Sequence, residues 1–584
     1  MNSFLTPWRL KWYPRLLLLA LAVGFAIGVL GGQGAATLSG RLGGDFAEFY
    51  AAGRMVAGGQ GVQLYEAQAQ QEAQRDLHPD EAGAFVPFVY PPFLAAIYAP
   101  LSFLPYRLAF ILHTFLMLAA LVGALKLFIQ AGLDQSNAGA KSPLYQQANE
   151  RSPAVIARRP WPTKQSSPAA GKLGTGSPRR CASCDDDRRL VSHFIAPLLS
   201  RFLQRTLSCQ RRLASHLSFW VKGRPQLDLT KPITPDLFLL LFTAALLFYP
   251  VFCSILGGQN TALTLLLAAW WVFALRQGQA WRAGVPLGLL LFKPQFALPL
   301  IALSFLAGRW RTVVTALGLG IVFAGVSGLI AGPHWPQAWF AYATWAMPLD
   351  TALAGEQLVG WLGFFQSVWG VDAIWSFRAG LVASLATASF LAFLWFRVSR
   401  RAVIRHAISP ATSYQGPDEN TPDVIAESTA AWRSSPQLSS SRTGLLRSLR
   451  LLVMTKEGGL VSHFISPLPS FASFLSTSKA ASVFPDLRLV AATLAGLVLL
   501  SPHALFYDAG LLLPALWLWL QEPAPKAPHA VALLWLCGFT QLAAPVLGFS
   551  PLFFLSLGVF LFSALKVARQ QLPSRDPRSE HTSP

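Results

Sequence analysis

Long apolar runs separated by short polar turns make up most of the chain. Four examples are Leu16–Leu30, Leu237–Leu256, Leu263–Leu275 and Val313–Ile330, and they approach the ~20 residues that a helix needs to cross a bilayer. With shorter runs counted as half-spans, the pattern predicts about eleven to thirteen spans or half-spans. It therefore predicts an all-α polytopic membrane protein.

The composition agrees with this interpretation. Of 584 residues, 53% are hydrophobic and only 13% are charged, whereas soluble domains carry about 25% charged residues. Arg9, Lys11 and Arg15 precede the first run and no small-residue cleavage site ends it, so we expect a retained signal-anchor. Five scattered cysteines are too few for a disulfide framework.

Two stretches, 134–235 and 402–487, interrupt the apolar pattern and are rich in Ser, Pro, Arg, Gln and Gly. They share a near-identical string, LVSHFIAPL at 190–198 and LVSHFISPL at 460–468. We interpret them as related insertions that are largely disordered. The predicted domains are the first span with an external catalytic loop, a basic insertion, central transmembrane helices, a second insertion, C-terminal transmembrane helices and a cytoplasmic tail, at 1–133, 134–235, 236–401, 402–487, 488–570 and 571–584.

The formal net charge of +20 does not indicate nucleic-acid binding. Residues 134–235 contain 17 Lys/Arg and 6 Asp/Glu, a surplus of 11, so much of the positive charge lies in one low-complexity stretch. The Cys181 and Cys184 pair has no second pair or histidine motif to complete a zinc site. The sequence therefore predicts no metal and no cofactor.

The charges of the loops predict the topology. The basic N-terminus is expected in the cytoplasm, which places the loop 37–88, with seven acidic and three basic residues, outside. Basic clusters mark further cytoplasmic turns at Arg276 and Arg282, Arg309 and Arg311, Arg397, Arg400 and Arg401, and Lys566, Arg569 and Arg575. The polar motifs then face outward with Asp45, at 257–260 (GGQN), 292–295 (FKPQ), the loop 331–356, and 501–508 (SPHALFYD). One site at the outer leaflet is therefore expected.

Two stretches leave this topology open. The first insertion is cytoplasmic only if residues 90–130 cross the membrane a net single time. That requires the part before Tyr106, with its YPPF and PLSFLP motifs, to dip into the membrane without crossing. The stretch 358–370 has the same ambiguity.

The stretch GGDFAEFYAAGR, Gly43 to Arg54, contains the strongest candidate for chemistry. Two glycines let the chain turn before Asp45, and the residues after it suit an interfacial helix lying on the bilayer. Glu48 is three residues further on and shares a helix face with Asp45. An acidic pair at the membrane boundary is a candidate general base for a lipid-borne substrate. The alternative is the solvated start of a loop.

Candidates for an anionic substrate group lie in two later motifs. Lys293 is in an otherwise apolar run, where a buried ammonium needs a partner such as a phosphate. The alternative is a lysine that reaches an interface. In SPHALFYD, His503 is a candidate to neutralise a leaving phosphate, and Asp508 is a candidate to orient a sugar or another side chain. Turns at the ends of spans also carry such residues without any catalytic role.

Candidates for sugar binding are Tyr90, Gln259 and Asn260. The two amide side chains follow a pair of glycines and can bind sugar hydroxyls, although ordinary turn chemistry explains them nearly as well. Tyr90 can stack on a sugar ring, or the Pro-Pro after it simply marks re-entry of the chain. There is no Walker loop, no convincing GxGxxG after a strand and no HExxH. Any donor must therefore be reached from the membrane.

The order of these motifs resembles glycosyltransferase family 87, whose members are polyprenol-phosphate-sugar-dependent membrane transferases typified by mannosyltransferases. The resemblance rests on DFAEFYAAGR after the first span, the pair Leu64 and Tyr65, YPPF with PLSFLP, GGQN, LGLLLFKPQ and SPHALFYD. It covers about 1–133, 236–400 and 488–570.

The resemblance implies a GT-C type helical bundle with a large first external loop in a bacterial plasma membrane, with the active site on the periplasmic side. It implies transfer of a hexose, typically mannose, from a polyprenyl-phosphate donor to an envelope lipid or glycan acceptor, with inversion. Asp45 would be the general base, supported by Glu48. Lys293, with His503 or Arg54, would stabilise the departing phosphate.

Two other functions remain open from the sequence. A transporter or flippase for a lipid-linked sugar would use broken helices and usually an internal repeat. We see no repeat between the hydrophobic halves. An inactive paralogue is the third interpretation, and the two insertions keep it open.

Overall fold

The structure is a computed structural model, which describes residues 7–30, 42–77, 85–140, 234–370, 373–412, 486–520 and 527–570. Both LVSHF repeats, Cys181 and Cys184, and nearly all of the two predicted insertions lie outside these ranges. Within them the chain is helical, and no strand occurs besides one isolated bridge between Leu358 and Leu505.

Within each described range the helices follow one another with short connections. In chain order they are α1 (Pro7–Leu30), α2 (Phe46–Ala57), α3 (Ala67–Arg75), α4 (Pro92–Tyr98), α5 (Tyr106–Ala140), α6 (Pro235–Leu246), α7 (Tyr249–Leu256), α8 (Thr261–Arg276), α9 (Ala280–Leu289), α10 (Pro294–Leu306), α11 (Trp310–Ala331), α12 (Trp335–Ala354), α13 (Trp361–Trp369), α14 (Ile374–Thr412), α15 (Leu487–Leu500), α16 (Leu513–Leu520), α17 (Ala527–Cys537), α18 (Ala544–Leu547) and α19 (Leu552–Gln570). Short 3-10 helices lie at Gly61–Gln63, Ala99–Phe103, Leu290–Phe292, Gly355–Gln357, Phe506–Leu512 and Gly538–Ala543.

Within the described ranges, five helices are long and apolar enough to cross a membrane: α1, α5, α11, α14 and α19. A bent pair, α6 with α7, makes a sixth candidate span with a 76° bend, and six shorter apolar segments accompany them. These twelve segments agree with the predicted total of about eleven to thirteen spans or half-spans. The predicted all-α polytopic membrane fold is confirmed.

α15 lies at the centre of the bundle. All residues from Leu489 to Leu499 are buried, because a helix that is apolar on every side must be covered on every side. α14, α19 and the 3-10 helix Phe506–Leu512 pack against it. Its Thr493 accepts a hydrogen bond of 2.9 Å from the Trp395 indole of α14, which satisfies a donor that burial would otherwise leave unpaired.

The helix directions separate two ends of the bundle. α8 runs from the GGQN turn to Arg276, and α11 begins beside the turn that follows, where the Thr312 hydroxyl donates to the Ala280 carbonyl at 2.8 Å. At the other end of α11, a Cβ on Gly61 would lie only 2.3 Å from the Ile330 carbonyl oxygen. We call the end with Arg276 and the Thr312–Ala280 contact the basic end, and the end with Gly61 and the GGQN turn the site end. The first loop packs on the site end.

The segment between the first loop and α5 enters the bundle and returns to the site end. The Tyr50 hydroxyl of α2 donates to the Leu104 carbonyl at 2.8 Å, and the Tyr106 hydroxyl donates to the Leu42 carbonyl at 2.8 Å. α5 therefore begins beside the start of the first loop. The part before Tyr106 dips without crossing, which answers the first topological question.

At the site end, the structure corrects the predicted loop 331–356 and decides whether the stretch 358–370 can cross the membrane. The predicted loop 331–356 is mostly α12, a 20-residue helix. Pro336 occupies its first turn, where proline favours a helix start. α13 has nine residues and is about 14 Å long, so the ambiguous stretch 358–370 is too short to cross.

Two helices continue beyond the predicted domain boundaries. α5 ends at Ala140 rather than at 133, and α14 ends at Thr412 rather than at 401. The boundaries were drawn where the apolar pattern stops, but a helix can continue into water once its apolar part is held in the bundle. The described helices therefore extend into both predicted insertions.

Candidate functional site

Two glycine turns, more than 200 residues apart in the chain, pack backbone to backbone at the site end. Gly43, Gly44 and Gly258 have positive φ values of +81°, +49° and +69°, which glycine adopts without a steric penalty. The Asp45 amide donates to the Gly257 carbonyl at 2.9 Å. A Cβ on Gly258 would lie 2.4 Å from the Gly43 carbonyl oxygen. The glycines therefore allow the GGDF and GGQN motifs to touch.

This contact brings Gln259 to Asp45. The Gln259 side-chain amide donates a hydrogen bond to Asp45 Oδ2. Gln259 is buried, whereas Asp45 is half-buried at the N-cap of α2. The N-terminus of a helix favours a carboxylate electrostatically. Asp45 is therefore an oriented carboxylate with part of its surface still accessible.

Replacing Gly258 with alanine is expected to disrupt this contact, and Gly278 offers a matched control. Both have φ +69°, but a Cβ on Gly278 has no atom within 4 Å. Gly278→Ala should cost about 1–2 kcal/mol for the left-handed backbone alone. Gly258→Ala should cost about 1–3 kcal/mol more, because its Cβ overlaps the Gly43 carbonyl. Thermal unfolding in detergent measures both, and equal costs would contradict the packing described here.

A second pair of charged residues lies deep in the bundle. Lys293 Nζ is 2.7 Å from Asp508 Oδ1, and the two side chains are only 2% and 5% exposed. Lys293 sits where the 3-10 helix Leu290–Phe292 gives way to α10, which starts at Pro294. A lysine with this burial does not reach an interface. Its charge is instead balanced by a buried carboxylate, as a charge in a low-dielectric site requires.

The Asp45 carboxylate and the Lys293–Asp508 ion pair share neighbours. A Cβ on Gly510, two residues after Asp508, would lie 3.0 Å from Thr261, which follows the GGQN turn. Tyr90 and Tyr507 are half-buried and lie outside the candidate spans. Burial raises the pKa of Tyr90, and the carboxylates of Glu48, Asp508 and Asp45 raise it further.

The same groups act on Tyr507. Burial raises the pKa of Tyr507, and Asp45, Tyr90, Asp508 and Glu48 raise it further. Negative carboxylates disfavour a phenolate, so both side chains favour the neutral phenol. Two phenols and three carboxylates thus belong to one electrostatic neighbourhood.

α2 is buried in the bundle rather than lying on the bilayer as predicted. It packs against α4 and the 3-10 helix Ala99–Phe103. Its aromatic and small residues point to several sides and are almost fully covered, so no apolar face is left for lipid; these residues are Phe46, Ala47, Phe49, Ala51 and Ala52. Glu48 is also only 4% exposed.

Two other predicted site residues, Asn260 and His503, differ in how deeply they are buried. Asn260 is completely buried, and neither of its side-chain polar atoms has a hydrogen-bond partner within the described part of the chain. His503 is half-buried in a turn held by a 2.8 Å bond from the Val359 amide to the Ala504 carbonyl.

Arg54 lies nine residues after Asp45 on α2, about 13 Å along the helix axis. Its guanidinium donates to the Ala73 carbonyl and is 3.8 Å from Asp76. These contacts are with α3 and the residue that follows it. The structure therefore describes Arg54 through contacts within the first loop, and its role at the donor phosphate stays a prediction.

A comparison with protein families identifies the class of this chain. A family model described as glycosyltransferase family 87 matches residues 88–157 and 199–411. The chain belongs to glycosyltransferase family 87. The suspected family is thereby confirmed, and with its apolar helices the protein is a multi-pass membrane glycosyltransferase. No curated protein and no solved structure matches the chain.

The family match covers part of the site. It includes Tyr90, Gln259, Asn260 and Lys293, and it pauses between 157 and 199, inside the first predicted insertion. Asp45 and the SPHALFYD turn lie outside the matched residues. Their place in this family 87 glycosyltransferase therefore rests on the contacts described above.

Two residues at the site end of this glycosyltransferase, Tyr507 and His113, were not predicted from the sequence motifs. Tyr507 directly precedes Asp508, and its only sequence signal was its position within the SPHALFYD motif. His113 of α5 is 1% exposed, with its ring 4.9 Å from the Phe46 ring and its Nδ1 3.4 Å from the Tyr98 hydroxyl. A histidine inside an apolar span was a usable signal. Within the described ranges, no group of three or more His, Cys, Asp or Glu side chains is arranged to hold a metal ion.

Proposed function

We propose that this family 87 enzyme transfers a hexose, most suitably mannose, from a polyprenyl-phosphate donor to an envelope lipid or glycan acceptor, with inversion. The observation that carries the proposal is that an accessible carboxylate, Asp45, and the Asp508 carboxylate that holds the buried Lys293 ammonium both act on Tyr90 and Tyr507. Transfer from a phosphate-activated sugar needs one base and one group that stabilises the leaving phosphate.

Asp45 is assigned the role of general base. The acceptor oxygen attacks the anomeric carbon and forms the new C–O bond while the bond from that carbon to the phosphate oxygen breaks. The acceptor proton passes to Asp45, and the bonding electrons leave with the phosphate. The hydrogen bond from Gln259 to Oδ2 orients the carboxylate beside the GGQN turn, and the half-buried side chain presents part of its surface to the acceptor hydroxyl. Glu48, one helical turn further on, supports the negative charge distribution that keeps Asp45 basic.

Lys293 is assigned to the leaving phosphate. Its ammonium is desolvated and held by Asp508, and its side chain is only 2% exposed. Its role at the phosphate therefore requires that the covering residues move apart, after which it can stabilise the charge that develops there. Asp508 keeps Lys293 in place and is the candidate to orient a sugar hydroxyl. His503, five residues earlier in the same turn, is the candidate second cation.

Tyr90 is assigned to the sugar. Its ring is 5.1 Å from Phe49 and 5.6 Å from Phe88, and its pKa responds to the site carboxylates. An aromatic face with a protonated hydroxyl can stack on a hexose and donate to one of its oxygens. Asn260 is completely buried, so its role toward a sugar requires that the GGQN turn opens. We place the enzyme in the bacterial plasma membrane with this end on the periplasmic side.

The donor class is tested with purified wild-type enzyme in proteoliposomes that contain bacterial membrane lipids. Radiolabelled polyprenyl-phosphate-mannose, polyprenyl-phosphate-glucose and GDP-mannose are supplied in parallel. We expect label in a new lipid product from a polyprenyl-phosphate sugar alone. Product from GDP-mannose alone would contradict the proposed donor. Movement of intact labelled donor across the bilayer without any new product would instead indicate a flippase.

A further inference from the structure

A short non-helical segment, residues 85–90, leads into the site and ends at Tyr90. Such a segment exposes backbone N–H and C=O groups that must find partners once they are buried. Phe88 is 1% exposed, yet no strand lies beside the segment in the described part of the chain. Side chains must therefore supply the partners.

Two glutamines of α3 do so. Gln74 Oε1 accepts from the Val86 amide at 2.9 Å, and Gln74 Nε2 donates to the Val86 carbonyl at 2.8 Å. Gln70 Oε1 accepts from the Phe88 amide at 2.8 Å. Gln70 Nε2 donates to the Leu64 carbonyl at 2.6 Å and lies 3.4 Å from the Phe88 carbonyl. Each side-chain amide thus binds both polar backbone groups of one residue, as a paired strand would.

The spacing explains why this arrangement works. Residues four apart on a helix are about 6 Å apart along its axis, and residues two apart on an extended chain are about 6.6 Å apart. Gln70 and Gln74 therefore match Phe88 and Val86 in antiparallel order. Both glutamines are buried, at 2% and 3% exposure, so each lost bond would leave a buried polar group unpaired.

Further bonds fix the end of the segment and join it to α12. The Trp339 indole donates to the Val89 carbonyl at 2.9 Å, and the Tyr65 hydroxyl donates to the Tyr90 carbonyl at 2.8 Å. The Tyr342 hydroxyl of α12 donates to Gln70 Oε1 at 3.1 Å. The backbone of Tyr90 is thereby held from the first loop on one side and from α12 on the other.

We propose that Gln70 and Gln74 are positioning residues, which act as a substitute strand and hold Tyr90 in place for the donor sugar. The assignment of Tyr90 to the sugar rests on the proposed function. The glutamine pair touches no reacting atom, so its removal should impair sugar binding much more than the chemical step. Glutamines on a short polar helix otherwise look like an ordinary solvated face.

The test compares Gln74→Leu with Gln68→Leu, a change of the same type at an exposed position of the same helix, where Gln68 donates to Glu72 at 3.3 Å. Hydrogen–deuterium exchange of the purified proteins should show faster exchange across 85–90 in Gln74→Leu alone. This readout needs no substrate, so it judges the backbone contacts even if wild type transfers no mannose. Unchanged exchange in Gln74→Leu would overturn the proposal.

Kinetics with polyprenyl-phosphate-mannose test the link to Tyr90. We expect Gln74→Leu to raise the donor KM about tenfold and to leave kcat within about twofold of wild type. In a Tyr90→Ala background the same change should add little, because both act through one contact. Full additivity in the double variant, or an equal fall of kcat with unchanged KM, would overturn the proposal. Absence of transfer by wild type would count against the proposed function, and the exchange experiment would still decide the role of the glutamines.

Discussion

Replacing Asp45 with asparagine is expected to lower the transfer rate by roughly a hundred- to ten-thousand-fold, the contribution of a positioned general base. Asparagine has nearly the same shape, and its side-chain oxygen can still accept the hydrogen bond from Gln259. The two glycine turns should therefore stay together. What is lost is the ability to take the acceptor proton, so kcat should fall while donor binding is retained.

Asp76→Asn is the control for this experiment. Asp76 lies in the same first loop, its side chain is 77% exposed, and its one described ion pair is with Arg54 at 3.8 Å. Exposed pairs of this kind contribute little, so Asp76→Asn should transfer at the wild-type rate. If Asp45→Asn also stays within about twofold of wild type, then Asp45 is not the base and the account of the chemical step is wrong.

Replacing Lys293 with methionine is expected to have two separate effects. Loss of the ammonium should lower kcat by roughly a hundred- to a thousand-fold, as seen when one donor to a developing charge is removed. It also leaves the Asp508 carboxylate buried without its partner. Breaking a buried pair in this way costs about 3–5 kcal/mol of stability, which should be visible as a lower unfolding temperature in detergent.

A second substitution separates these effects. In Lys293→Met combined with Asp508→Asn, no unpaired charge remains buried, so most of the lost stability should return. The transfer rate should stay low, because the leaving phosphate still lacks its cation. Recovery of transfer together with stability would show that Lys293 serves only to hold the fold.

The apolar pattern predicted the fold class well because membrane helices are defined by length and hydrophobicity alone. The prediction failed where a helix was rich in tryptophan and proline. The stretch 331–356 was expected to be a loop but is mostly α12, whose Pro336 lies in the first turn. α14 continues to Thr412, beyond the end of its apolar part.

The polar motifs of the site end could be found in the sequence, but their pairing could not. Loop charges placed the motifs on one side of the membrane, and the structure brings Gln259 to Asp45 there. Nothing in the sequence indicated that Lys293 meets Asp508, 215 residues away. The roles of Gln70 and Gln74 were equally hidden, because a glutamine that replaces a strand has the same sequence signature as one that faces water.

The most direct test of the central claim measures donor binding and sugar transfer together, in purified wild type and Asp45→Asn. Radiolabelled polyprenyl-phosphate-mannose serves for both, with bacterial membrane lipids as acceptors. The account predicts that the two proteins bind the donor with affinities within about threefold of each other, since the base acts mainly in the transition state. It also predicts that only wild type places label in a new lipid product. Transfer by Asp45→Asn at the wild-type rate, or donor binding by wild type without any labelled product, would contradict it.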